Sequence, residues 1–233
     1  VYRDQIPGET LVLTFLNRLK IKKEIFSAVY SNIMDTFVTE ADFWDDDSMQ
    51  REFLPGIIDE SKDKLVEFLG CIDTGIKDIS YEKIDDKIRI YTTHTGKNGK
   101  DYTLGLYNES DGTLKSILLY ILARVAILND KSLFIDELND RLHPLLLKYI
   151  IDLFYESDSM AQLIYTTHDT TLMDKKFFRR DQIWFVQKDE YGYSELVALS
   201  DYKVRSDASF EKDYLAGVYG GIPFLKEFQM KEK

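Results

Sequence analysis

The chain has 233 residues, enough for one large domain or a domain with an appendage, and 44% hydrophobic with 13% aromatic content can fill a core. A net charge of −11, from 41 acidic against 30 basic residues, argues against direct nucleic-acid binding, which calls for a basic stripe. One cysteine excludes an internal disulfide, and no apolar run reaches the roughly 20 residues that span a bilayer, so a reducing cytoplasm and no membrane contact are expected.

The chain opens at Val1 rather than methionine, with no signal peptide visible, as a fragment or processed chain would. Residues 9–37 carry an apolar stripe, Ile25, Phe26, Val29, Tyr30, Ile33, Met34 and Phe37, that predicts helix. Thr39–Ser48, with three aspartates at 45–47, reads as a solvated acidic loop. The basic clusters Lys20–Lys23 and Arg179-Arg180 read as solvated faces. A helix is predicted over Glu60–Leu69, then strands over Ile79–Ile84, Ile88–Thr93 and Tyr102–Tyr107, with Gly96–Gly99 turning between the last two.

Thr113–Leu128 is a core helix by its stripe of Leu114, Ile117, Leu118, Ile121, Leu122 and Val125. Ser132–Ile135 and Gln162–Tyr165 read as buried strands of a parallel sheet, separated by a helix that begins at Pro144, a residue suited to a first turn. That spacing is a β-α-β crossover. Next come a hairpin over Ile183–Gln187 and Glu195–Leu199 and a last helix around Phe210–Leu215.

Polar clusters close both parallel strands: Asp136-Glu137 after the first, Thr166-Thr167-His168-Asp169 after the second. Ligands of open α/β sheets bind at the carboxyl ends of the strands. There Asp136 can hold a Mg²⁺ that bridges nucleotide phosphates, an ion content with one or two carboxylates plus waters. Glu137, on the opposite side of an alternating strand, can face an attacking water. His168 can donate to a γ-phosphate. The plain alternative for Asp-Glu is a loop cap. Upstream, Asn108–Thr113 offers Ser110, Asp111 and Thr113 as helix caps, and free N–H groups at such a terminus also suit a phosphate. His143 starts a helix, and His94, in the hairpin, is expected to face solvent. A phosphohydrolase binding metal through His168-Asp169 needs further ligands, and the remaining histidines sit in a hairpin and a turn. Gly96–Asp101 is no phosphate loop: G-x-x-x-x-G-K-[ST] would need glycine at His94 and a hydroxyl at Asp101, and the pattern occurs nowhere in the chain.

In this order the pieces resemble the carboxyl-terminal half of the ABC-like AAA ATPases of bacterial defence systems, of the AAA-15/AAA-21 type, kin to SMC heads and OLD ATPases. The resemblance runs from Gly70 to the end. Glu109–Thr113 resembles the signature motif, Leu133–Glu137 the Walker B strand, Leu138–Pro144 the D-loop and Thr166–Asp169 the switch-histidine motif. Arg179–Trp184 and Tyr214–Pro223 resemble terminal blocks. The resemblance implies an α/β fold, the carboxyl-terminal lobe of an ABC/Rad50-like P-loop NTPase head over 70–233, with a helical arm over 1–69. It implies ATP and Mg²⁺ as cofactors, Asp136 as the metal ligand, Glu137 as the general base and His168 as the γ-phosphate sensor. Ser110, Gly112 and Asp140 would contact nucleotide, the first two across to a second head. Partners would be that head, or the missing amino-terminal half, and a nuclease or toxin effector. Since the chain lacks the phosphate loop, it is expected to bind ATP poorly alone. The competing expectation is a non-catalytic scaffold that keeps the fold for assembly.

Overall fold

The computed structural model describes the backbone of residues 37–39, and residues 53–72, 74–85, 87–205 and 208–222 in full. Most of the helix expected over 9–37, the Lys20–Lys23 cluster and most of the acidic loop lie outside those residues. The chain divides into two compact units, residues 1–167 and 168–233.

Among the described residues the first unit holds two sheets. Strand β1 (Phe37–Thr39) lies parallel to β5 (Ser132–Ile135), which lies parallel to β6 (Gln162–Tyr165). Phe37, expected to close a helix, is therefore a strand residue. Phe-Val-Thr is a run of strong strand formers, and β5 supplies the partner that lets it act as one. The second sheet is an antiparallel meander of β2 (Ile76–Ile84), β3 (Lys87–Thr95) and β4 (Asp101–Gly105). The sequence predicts that the last of these reaches Tyr107. It stops at Gly105 because Leu106–Asn108 form a 3-10 turn that buries Leu106.

Three helices pack this unit among the described residues. Helix α1 (Leu54–Cys71) begins earlier than expected because Pro55 serves its first turn, and it kinks at Ser61, whose hydroxyl donates to the Ile57 carbonyl at 3.3 Å. Helix α2 (Asp111–Leu128) is expected to bury one stripe. Instead five consecutive residues, Lys115–Leu119, are buried, since α1, α3, β1 and β5 all pack against it. Helix α3 (Pro144–Tyr155) starts at the expected proline, with His143 Nδ1 accepting from the Leu145 N–H at 3.2 Å.

The parallel strands are less buried than a central sheet would be. Leu133 and Ile135 are inside, but Phe134 is 37% exposed and Ile164 44%. Among the described elements, helix α2 packs on β1 and β5, and α3 on β6. The alignment of β5 with β6 is pinned at their starts. Asp130, at φ 52, takes the Met160 N–H at 2.8 Å and the Ser159 hydroxyl at 2.9 Å. Those donors, the Met160 amide first, hold its carboxyl below the usual range. From there the register runs Ser132↔Gln162 to Ile135↔Tyr165, so residues 136 and 166 emerge side by side.

The second unit is built on a hairpin of β7 (Trp184–Lys188) and β8 (Ser194–Ala198), with the short helix α4 (Phe210–Leu215). Phe185, Leu199, Phe210 and Tyr219 form its core. The Phe185 ring stacks on Tyr214 at 5.3 Å and on Tyr219 at 5.5 Å. Burial, then the hydrogen bond its hydroxyl donates to Asp213, pushes the Tyr219 phenol up to about 12. Gly220 suits its place because its φ of 67 is a backbone conformation that side chains with a Cβ rarely adopt.

Candidate nucleotide site at the carboxyl end of the parallel strands

Strand β5 ends at Ile135, and Asp136 and Glu137 leave it in a bend. The Thr166 hydroxyl joins them. It donates to Asp136 Oδ1 and accepts the Glu137 N–H at 2.8 Å. Backbone bonds reinforce the junction: the Thr166 N–H donates to the Ile135 carbonyl at 3.0 Å, and the Leu138 N–H to the Thr166 carbonyl at 3.0 Å. Leu138 is fully buried and anchors the loop that leads on to α3.

Glu137 does not continue the strand. Its φ is 47, so the alternation expected to turn it away from Asp136 does not operate at this residue. A left-handed non-glycine residue costs roughly 1–2 kcal/mol. Four occur among the described residues: Asp85, Asp130, Glu137 and Arg141. Aspartate tolerates the conformation in turns, whereas Glu137 and Arg141 need surroundings that impose it. Both stand in the one loop that joins β5 to α3. Such strain gathers at functional sites.

The same loop meets the start of α2. Arg141 pairs with Asp111 at 3.1 Å and with Asp140 at 3.5 Å, all exposed side chains. A Cβ on Gly112 would lie 3.1 Å from the Arg141 carbonyl oxygen, so glycine permits the approach of loop to helix. Ser110 caps α2, its Oγ accepting the Thr113 N–H at 3.2 Å. The Asp136–Glu137 pair and the Ser110–Gly112 turn thus belong to segments in contact. Asp140 is half exposed on the loop between them.

His94 differs from expectation. Its side chain is only 12% exposed, and Nε2 lies 2.7 Å from Glu109 Oε1. The Gly96–Gly99 turn places the residue inside the meander, where β4 and the Glu109 turn cover it. His168 is exposed and is the first residue of the second unit. Asp169 beside it caps a 3-10 turn, taking the Thr171 N–H at 2.9 Å. Sequence reasoning missed Thr166 as the tie between the acids, and the Thr92–His94–Glu109 cluster. Thr166 could have been found by counting, because two aligned four-residue strands bring 136 and 166 together.

Could the site hold Mg²⁺? Asp136 is exposed and one of its oxygens is fixed by Thr166, which leaves the other for a cation. No group of three or more His, Cys, Asp or Glu among the described residues forms a metal cage. That donor set fits an ion that keeps most of its shell as water and phosphate oxygens, and does not fit a protein-enclosed metal.

Residues 15–174 match the model of AAA_21, a family of AAA domains described with the AbiEii toxin of type IV toxin–antitoxin systems, and the chain belongs to that family. Membership implies the P-loop NTPase fold, an ATPase-related protein and a toxin–antitoxin or defence setting. The match begins inside the segment read as a variable arm and ends before the blocks at 179–184 and 214–223. No curated protein matches the chain. No described helix is long and apolar enough to cross a membrane.

Proposed function

We propose that this chain supplies the catalytic acids of an ABC-like ATPase head that dimerises on ATP, and that another stretch of polypeptide contributes the phosphate loop. The observation that carries the reading is the junction at the end of the central parallel strand. One hydroxyl fixes Asp136 beside a Glu137 held in a strained backbone, which is where an open α/β sheet binds ligands. Asp136 would hold a Mg²⁺, which would supply charge stabilisation to the phosphates when bound. Glu137 takes the proton of the attacking water as general base. His168 enters as the γ-phosphate partner through its place in the motif alone. Ser110 and Gly112 offer the start of α2 to the nucleotide of a second head, and Asp140 lines the same approach.

The exposed Ile164 on a parallel strand supports a counterpart, because parallel sheets are covered on both faces. A scaffold without turnover is the second reading, favoured by the absence of G-x-x-x-x-G-K-[ST] from the 233 residues. The test joins the chain to a counterpart carrying that loop. Glu137→Gln should trap ATP-bound dimers and abolish phosphate release. Undiminished hydrolysis removes Glu137 from the mechanism, and no hydrolysis by the unaltered pair favours the scaffold.

A further inference from the structure

We propose that His94 is a positioning residue that fixes the Glu109–Gly112 turn, and with it the exposed start of α2, through the buried Glu109 carboxylate. Glu109 directly precedes the Ser110 cap, so one peptide bond links the buried acid to the helix start. Its side chain is 8% exposed, and a single oxygen, Oε1, receives both the Thr92 hydroxyl and His94 Nε2. A carboxylate only accepts, so the Nε2 carries the proton. Thr92 is fully buried, and Thr92 and His94, two residues apart on β3, face the same side of the meander.

The histidine is itself held. Its ring stacks on Tyr102, its cross-strand partner, at 5.6 Å and 19°. On another side Gly75, at φ 72, comes close enough that a Cβ would lie 3.7 Å from Nδ1. A carboxylate this far from water stays only while its donors stay, because losing one leaves the charge under-compensated. Without His94 the acid is expelled toward solvent and carries the Leu106–Glu109 turn with it. The meander therefore serves as the rigid support of the α2 start. That this support matters for nucleotide-driven pairing of heads rests on the proposal that Ser110–Gly112 meets the nucleotide of a second head.

Hydrogen exchange of the full chain tests the positioning directly. The Thr113 and Leu114 amides donate to the Ser110 side chain and carbonyl. In His94→Ala they should exchange at least tenfold faster, while amides in the middle of α2, from Leu118 to Leu122, keep their rates. His94→Gln retains a side-chain N–H donor and should return both amides to within about threefold of the unaltered protein. Unchanged rates at Thr113 and Leu114, or equal acceleration along all of α2, overturn the proposal, as does failure of glutamine to rescue. If His94→Ala does not fold, Tyr102→Leu removes the stack alone and should still speed those two amides selectively; no change there overturns the proposal equally. The two readings separate cleanly. With the phosphate-loop counterpart present, failure of the unaltered heads to pair on ATP sinks the proposed function but leaves the exchange result standing. Pairing undiminished in His94→Ala, despite faster exchange, removes the functional role of the support.

Discussion

Replacing Thr166 by valine keeps shape and volume while removing the hydroxyl that joins the two acids. Two bonds are lost, the one donated to Asp136 and the 2.8 Å bond accepted from the Glu137 N–H. A net 0.5–1.5 kcal/mol is typical for a neutral bond and about 1.5–3 kcal/mol for one to a charged group. Asp136, Glu137 and Thr166 are all exposed, so water recovers part of each, and the lower ends apply. The expected loss is about 2 kcal/mol. For a chain of this size that corresponds to roughly 4–8 °C in Tm. Denaturant unfolding followed by circular dichroism measures it, and Thr166→Ser, which keeps the hydroxyl, should fall within about 0.5 kcal/mol of the unaltered protein. A cycle with Asp136→Asn should give a coupling of about 1 kcal/mol. A valine variant as stable as the original, or a serine variant as weak as valine, refutes the shared-hydroxyl account.

Glu137→Gly should leave stability within about 1 kcal/mol of the unaltered protein, because relief of the strain at φ 47 is offset by the greater freedom of glycine in the unfolded chain; a larger loss on denaturant unfolding would mean the side chain helps hold the loop together. Ser110→Ala removes the α2 cap and should lower stability by about 1 kcal/mol by the same measurement, with unchanged stability contradicting the cap. Asp130 titrates below the ordinary carboxylate, so its contribution is present above that ordinary value and lost as pH falls through the lower one. Ser159→Ala should move its carboxyl titration, followed by NMR, back upward, and an unmoved titration would show that the hydroxyl plays no part.

The strand bounds at 132–135 and 162–165 were legible because apolar residues ran between polar or turn-forming ones. So was the start of α3, because His-Pro has few other uses there. The left-handed backbone at Glu137 was not legible. Nothing local asks glutamate for φ 47; it is imposed by the burial of Leu138 and by Thr166, which reaches the loop from a distant part of the chain. The burial of His94 was hidden for a similar reason. In a lone hairpin its ring would meet more water, and the return of the chain at Glu109, with Gly75 on another side, encloses it. Membership of the family reached further upstream than the motifs suggested, to residue 15, because motif reading sees polar landmarks and not the apolar strand β1.

Every rung between β5 and β6 joins residues thirty apart, whereas β2–β3 and β3–β4 close through turns of a few residues. Loop closure of that length slows assembly relative to local pairing. The meander is therefore expected to pair before the carboxylates are brought into register. The corner that joins residues 136 and 166 is then expected to be among the last parts to form.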